Sequence, residues 1–413
     1  MPPSDSGTNY YRKGFGLKAE VQRILDQDYS GHLVNLLRER DFTLSAGGVT
    51  VRLAREFGFC YGVERAVDYA YQARNKFPGR RIVLVGEIIH NPHVNAKLRA
   101  MGVEILAPLP GGDEGPASFD YGSISPEHVV IIPAFGVTIH DFETLRAIGC
   151  VLVDTTCGSV LNVWKRVESY ARDGFTALIH GKHYHEETRA TASQVERFPE
   201  GRYLIVRDIG EARLVCDYIE GKSTRAAFLE KFASRASPGF DPDLHLRKIG
   251  VANQTTMLAR ESLAIAEEVG RAIARASGEE QRASSFRSFD TICSATQDRQ
   301  DAVRELLAGD LDVMLVIGGY NSSNTISLAA ICAEHVTTYH VEDAGCIDVE
   351  RGTVRHKLIG RTGEIETADW LATPEGGPLR VGITAGASTP NNKIGEAVAR
   401  VFATRGVGAG EIG

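Results

Sequence analysis

Nine short runs rich in β-branched and aliphatic residues alternate with longer amphipathic stretches, and this alternation restricts the fold more than any other feature of the chain. The runs are RRIVLVG (80–86), HVVIIPAF (128–135), VLVDTT (151–156), TALIHG (176–181), RYLIVR (202–207), KIGVANQT (248–255), DVMLVIGG (312–319), TTYHVE (337–342) and LRVGITAG (379–386). Most are unbroken apolar runs, as expected of strands covered on both faces of a parallel sheet. Helical periodicity fills 63–77, 159–173, 262–276 and 299–308 between them. Strand–helix alternation of this kind predicts an α/β fold with small, mostly parallel sheets.

A weak repeat refines the expectation. LVDTTCGSV (152–160) and SFDTICSAT (288–296) share Asp-Thr-x-Cys, each opening a helical stretch, and REFGFCYGV (55–63) places Cys60 in a similar context without the Asp. Three similar α/β domains, each offering a cysteine at the same structural place, follow from this. The expected boundaries are an N-terminal helical extension (1–49), domains at 50–153, 154–289 and 290–392, and a tail at 393–413. The extension carries helical patterns at 18–27 and 32–41. Residues 110–126 read as a Gly/Pro/Ser-rich loop, and 217–246 as a charged helical insertion ending in a surface loop.

Lys and Arg total 46 against 53 Asp and Glu, a net charge of −7. An acidic chain is a poor tracker of nucleic-acid phosphates, so no nucleic-acid partner is expected, and any bound anion must be attracted locally. No run approaches the roughly 18 consecutive apolar residues of a membrane helix, and the N-terminus shows no secretory h-region. Seven sparse cysteines argue against a disulfide framework. A cytoplasmic protein with reduced thiols is the expectation.

Cys60, Cys157 and Cys293 each stand just before a helix. There the free backbone N–H groups and the positive end of the dipole favour thiolate chemistry. Cys150, Cys216, Cys332 and Cys346 lie in ordinary apolar settings and read as small hydrophobes. The wide spacing of the first three excludes local zinc and ferredoxin patterns. Three ligands from three domains would leave an iron–sulfur cubane with one iron lacking a protein ligand, though spacing alone does not establish a cluster.

Eight motifs in order carry a family resemblance: GFCYGVERAV (58–67), GEIIHN (86–91), DTTCGSV (154–160), HGKHYHEET (180–188), NQTT (253–256), DTICSATQDRQ (290–300), NSSN (321–324) and TAGAS (384–388). From about Lys13 to Glu396 the chain resembles the 4-hydroxy-3-methylbut-2-enyl diphosphate reductases, in their longer, chloroplast-type branch. The resemblance implies a trefoil of three α/β domains around a 4Fe–4S cluster on Cys60, Cys157 and Cys293. It implies a small allylic diphosphate as substrate, reduced by two electrons to isopentenyl and dimethylallyl diphosphate with loss of water. A reduced ferredoxin or flavodoxin is the implied donor.

The same resemblance assigns the polar motifs. Glu187 matches the family's proton-delivering carboxylate, with Glu186 pointing to the opposite face of an extended segment. Thr255 matches a hydroxyl that relays or orients the proton, and counts among both the catalytic and the substrate-binding residues. His90, His185, Ser322, Ser323, Asn324 and Ser388 match diphosphate ligands. Without the resemblance, Ser322 to Asn324 read as a helix N-cap. Gly318 and Gly319 would let the backbone approach a ligand. The density of His180, His183 and His185 also supports a second reading, a zinc-dependent hydrolase. One position departs from the family pattern: Phe135 stands in PAFGV where many members have a diphosphate-binding histidine, although the chloroplast-type branch also has Phe. The other ligands are expected to compensate.

Overall fold

A computed structural model describes residues 9–109, 119–289, 291–361, 363–372 and 378–412. Residues 110–118 of the Gly/Pro/Ser-rich loop and Asp290 of the second Asp-Thr-x-Cys motif lie outside the described residues. The chain divides into two compact units. One holds the residues up to Phe15, Ala73–Ile88 and Leu98–Cys293; the other holds Gly16–Gln72, Ile89–Lys97 and the residues from Ser294 onward.

The first unit carries two all-parallel sheets. One has five strands in the order Tyr10–Tyr11, Val151–Asp154, Val129–Ile132, Ile82–Val85 and Val103–Leu106. The other has four, in the order Phe286–Ser288, Ile249–Asn253, Thr176–His180 and Arg202–Val206. The second unit has one eight-stranded sheet. Its centre is parallel, with Thr338–Val341, Val313–Ile317, Leu379–Ala385 and Val49–Leu53 side by side. Antiparallel strands finish it at both ends: Thr43–Ala46 at one, and Thr353–Lys357 with Ile347–Asp348 and Glu364–Ala368 at the other.

Strand register sets the motifs beside one another. Asn253 pairs with His180, so NQTT leaves its strand next to HGKHYHEET. Ile132 pairs with Asp154, which aligns PAFGV with DTTC. Ile317 pairs with Ala385, which aligns GGYNSSN with AGAS. In each case the chain emerges at the carboxyl ends of parallel strands, where open α/β sheets collect their ligands.

The strands are not shared out along the expected linear boundaries. Val49–Leu53 pairs with Leu379–Ala385, so Cys60 belongs with the C-terminal sheet and not with residues 80–153. Phe286–Ser288 joins the sheet of Ile249–Asn253, so Cys293 ends that sheet and does not begin the next. Each cysteine still follows a strand of a different sheet. Hydrophobic pattern identifies strands but not their partners, and here the partner is more than 300 residues away for one of them.

Within three segments expected to lie outside the regular domains, a helix packs into the core. The helix Asn391–Ala403 begins before Lys393 and buries Ile394, Ala397, Val398, Val401 and Phe402 completely. The helix His32–Glu39, within the expected extension, adds Leu33, Val34 and Leu37 to the same core. The approach is so close at Gly31 that a Cβ there would lie 2.5 Å from the Asn391 carbonyl oxygen. The helix Arg225–Phe232, within the supposed insertion, sends Phe228 and Phe232 into the core with Leu204, Val215 and Leu246. An amphipathic stripe in sequence shows that a face must be buried, not what buries it. Among the described residues, no helix is long and apolar enough to cross a membrane.

Candidate functional site

Cys60, Cys157 and Cys293 each occupy the position immediately before a helix, these being Tyr61–Lys76, Gly158–Arg172 and Ser294–Leu307. All three are half-buried, whereas Cys150, Cys216, Cys332 and Cys346 are buried. Burial pushes the Cys216 and Cys332 thiols up to about 12 and raises that of Cys150, so these sulfurs stay protonated. Access and helix position therefore separate the same three cysteines from the other four. If Cys60, Cys157 and Cys293 hold the cluster that the resemblance implies, Cys332→Ser leaves iron content and turnover unchanged, at roughly 1–3 kcal/mol of stability for a hydroxyl in an apolar site. Iron analysis with a thermal melt checks this, and cluster loss would show that the wrong cysteines had been singled out.

Each cysteine is docked through its backbone to a neighbouring motif. Cys157 N–H donates to the Ala134 carbonyl of PAFGV at 2.9 Å. Cys293 N–H donates to the Thr255 carbonyl of NQTT at 3.4 Å, and Cys60 N–H to the Ala387 carbonyl of AGAS at 3.2 Å. Asp154 shapes the turn before Cys157: its Oδ1 accepts from Thr156 N–H at 2.9 Å and Thr156 Oγ1 at 2.5 Å, and its Oδ2 accepts from Tyr10 Oη at 2.5 Å.

In the first unit, Glu187, Thr255 and His185 come together. Glu187 is 2% exposed, and its Oε1 accepts from Thr255 N–H at 2.6 Å. Glu186 is exposed. The two glutamates open the helix Glu186–Ser193 and are not in an extended segment. They still diverge, because successive helical residues are about 100° apart around the axis. His185 caps this helix, its Nδ1 accepting from Glu187 N–H at 3.1 Å. An accepting Nδ1 carries no proton, which puts the neutral ring's hydrogen on Nε2. The Phe135 ring meets His185 edge-on, with centroids 5.5 Å apart.

In the second unit, His90, Ser388, Ser322, Ser323 and Asn324 are all buried. Ser388 Oγ donates to the His90 carbonyl at 3.1 Å, and Asn321 Nδ2 lies 3.4 Å from His90 Nδ1. Ser322 caps the helix Ser323–Ala333, and Asn324 Oδ1 accepts from Ala387 N–H at 2.8 Å. Gly318 and Gly319 serve packing first. A Cβ on Gly319 would meet the His90 carbonyl oxygen at 2.7 Å, and one on Gly318 would meet Thr389 Oγ1 at 2.6 Å. At both positions the space a Cβ would fill is taken by neighbouring protein.

One device recurs in both units. Thr255 holds Cys293 with its C=O and Glu187 with its N–H. Ala387 holds Cys60 with its C=O and Asn324 with its N–H. A single peptide segment therefore spaces a cysteine from a polar group of the site in each unit.

Several positioning residues went unnoticed in the sequence. Gln254 Oε1 accepts from Lys182 N–H at 3.2 Å and Thr188 Oγ1 at 3.1 Å, binding NQTT to HGKHYHEET. Asn253 Oδ1 accepts from Thr291 Oγ1 at 2.6 Å, and Thr291 Oγ1 accepts from Asn253 N–H at 3.0 Å. The only signal available for these was membership of a motif. The three histidines of the zinc reading do not gather: among the described residues they form no group within a metal's reach. His180 is fully buried, bonds Ser262 Oγ through Nδ1 at 2.8 Å, and is held down to about 4 by desolvation.

Fold and motif positions define a mostly parallel α/β protein that carries its cysteines, carboxylate, imidazoles and hydroxyls at strand ends and helix N-termini in each of its two units. The family model described as LytB protein matches residues 51–402, and the chain belongs to this family. A relative from Gloeobacter violaceus, named 4-hydroxy-3-methylbut-2-enyl diphosphate reductase, is 46% identical over 97% of this chain and 94% of its own. A solved structure titled as (E)-4-hydroxy-3-methyl-but-2-enyl diphosphate reductase, the terminal enzyme of the non-mevalonate pathway, is similar at 26% identity. Its match covers 86% of this chain and 99% of that one, with a TM-score of 0.50. A reductase structure from Plasmodium falciparum, at 19% identity, shares the fold with a TM-score of 0.59 over 84% of this chain and 86% of that one.

Proposed function

We propose that this chain reduces 4-hydroxy-3-methylbut-2-enyl diphosphate, consuming two electrons and two protons and yielding isopentenyl and dimethylallyl diphosphate with water. The observation that carries the reading is the Glu187–Thr255–Cys293 connection, in which the backbone of one residue ties down both a buried carboxyl and the backbone of a half-buried cysteine.

Cys60, Cys157 and Cys293 would hold a 4Fe–4S cluster, in the trefoil arrangement of the family. The donor set fits: three accessible thiols at helix N-termini, distinct from four buried ones. When bound, the cluster supplies electrons and, at its iron without a protein ligand, a Lewis acid.

The chain's own groups supply the rest. Glu187 holds the proton delivered to the leaving hydroxyl, its carboxyl fixed by the bond from Thr255 N–H to Oε1. The Thr255 hydroxyl orients the substrate's oxygen. His90, His185, Ser322, Ser323, Asn324 and Ser388 bind the diphosphate, with the helix Ser323–Ala333 adding its N-terminal dipole. The neutral Nε2–H of His185 suits an anion. Electrons come from a reduced ferredoxin or flavodoxin, in the cytoplasm. The hydrolase alternative finds no support, since the relatives are reductases and the histidines diverge.

Phe135 braces His185 by its edge contact. Phe135→His is therefore expected to leave KM nearly unchanged; a many-fold fall in KM would show that the diphosphate contacts are incomplete without an imidazole there. The reading as a whole is tested by supplying anaerobically prepared protein with a reduced viologen and the substrate. Both five-carbon diphosphates are expected. An intact cluster with no turnover would point instead to a binding module.

A further inference from the structure

Arg299, in the helix Ser294–Leu307, is 3% exposed. Its guanidinium donates to the Gly58 carbonyl from Nη2 at 2.7 Å and from Nε at 3.2 Å. It also reaches the Phe57 carbonyl at 3.4 Å and the Ala295 carbonyl at 2.8 Å. Every one of these partners is a neutral carbonyl. The nearby Asp301 carboxylate is engaged on the exposed side by Gln297 and Arg304.

A guanidinium does not deprotonate in a protein, and a buried charge needs an opposite charge to be tolerated. Carbonyl dipoles offset part of that cost. The carbonyls concerned lie two and three residues before Cys60, in a loop whose other edge is held to the sheet. There, Ala54, Gly58 and Cys60 N–H groups donate to the Ile383, Ala385 and Ala387 carbonyls. Arg299 thus closes the loop from the helix side and brings a fixed positive charge to the backbone that carries the thiol.

We propose that Arg299 is the positioning residue of Cys60, clamping its loop and offsetting the negative charge of the thiolate and of the cluster it holds. This rests on the cluster reading above. It also gives a role to the part of DTICSATQDRQ that lies beyond Cys293.

Two variants separate charge from hydrogen bonding. Arg299→Gln retains some donors but no charge; Arg299→Lys retains the charge but not the fork. Both are prepared anaerobically, with the cluster's midpoint potential, iron release to a chelator and thermal melt measured. The Gln variant is expected to move the potential to a more negative value, because reduction adds negative charge that the guanidinium no longer balances. The Lys variant is expected to keep the wild-type potential, and both are expected to lose iron several-fold faster. A Gln variant with wild-type potential and iron retention overturns the proposal, as does a Lys variant whose potential shifts as far as that of Gln. Wild-type protein that binds no cluster overturns the earlier reading instead, before any variant is compared.

Discussion

Glu187→Gln is expected to retain the cluster and lose about 10²–10⁴ in kcat, the usual contribution of a positioned general acid. The substitution is a narrow one. An amide oxygen can still accept the 2.6 Å bond from Thr255 N–H, so the Thr255 segment and the Cys293 backbone it holds stay in place. What is lost is the proton. Glu187→Ala is a poorer test, because the abandoned Thr255 N–H would cost about 1–3 kcal/mol as a buried unsatisfied donor, and a fall in rate would then mix chemistry with misplacement. Steady-state rates at saturating reductant, beside iron content, separate the two. Near-normal turnover in the Gln variant would remove Glu187 as the proton source.

Cys157→Ser is expected to strip most of the iron and abolish turnover. Asp154 and Thr156 build the turn that presents Cys157, and Ala134 fixes its N–H, all independently of the thiol. The serine variant should fold normally, and only a soft thiolate donor is missing. Serine at Cys60 or Cys293 should act alike. Unchanged iron in the Cys157 variant would count against its ligand role, most sharply if Cys332→Ser did lose iron.

The strands of the parallel cores were legible because two-sided burial writes itself as unbroken apolar runs such as VMLVI and VVII. Margins were not. Glu364–Ala368, EIETA, keeps most of its residues exposed and reads as loop, while Tyr10–Tyr11 is too short to show a period. Domain boundaries failed at Val49–Leu53, whose partner strand comes near the end of the chain. The site was legible as motifs, and its logic was not. Nothing in NQTT announces that one peptide segment of Thr255 serves both Glu187 and Cys293, or that Gln254 ties down Lys182 and Thr188. Such links depend on register, which one sequence does not display. Phe135 is the reverse case: visible as a departure in sequence, while its edge contact with His185 is visible only in the structure.

Iron and sulfide analysis of anaerobically purified protein, read with its visible spectrum, bears most directly on whether three thiols from separate sheets share one cluster. A brown protein with about four irons and four sulfides per chain is the expected result. Colourless protein carrying stoichiometric zinc, or no metal after anaerobic reconstitution, would contradict it.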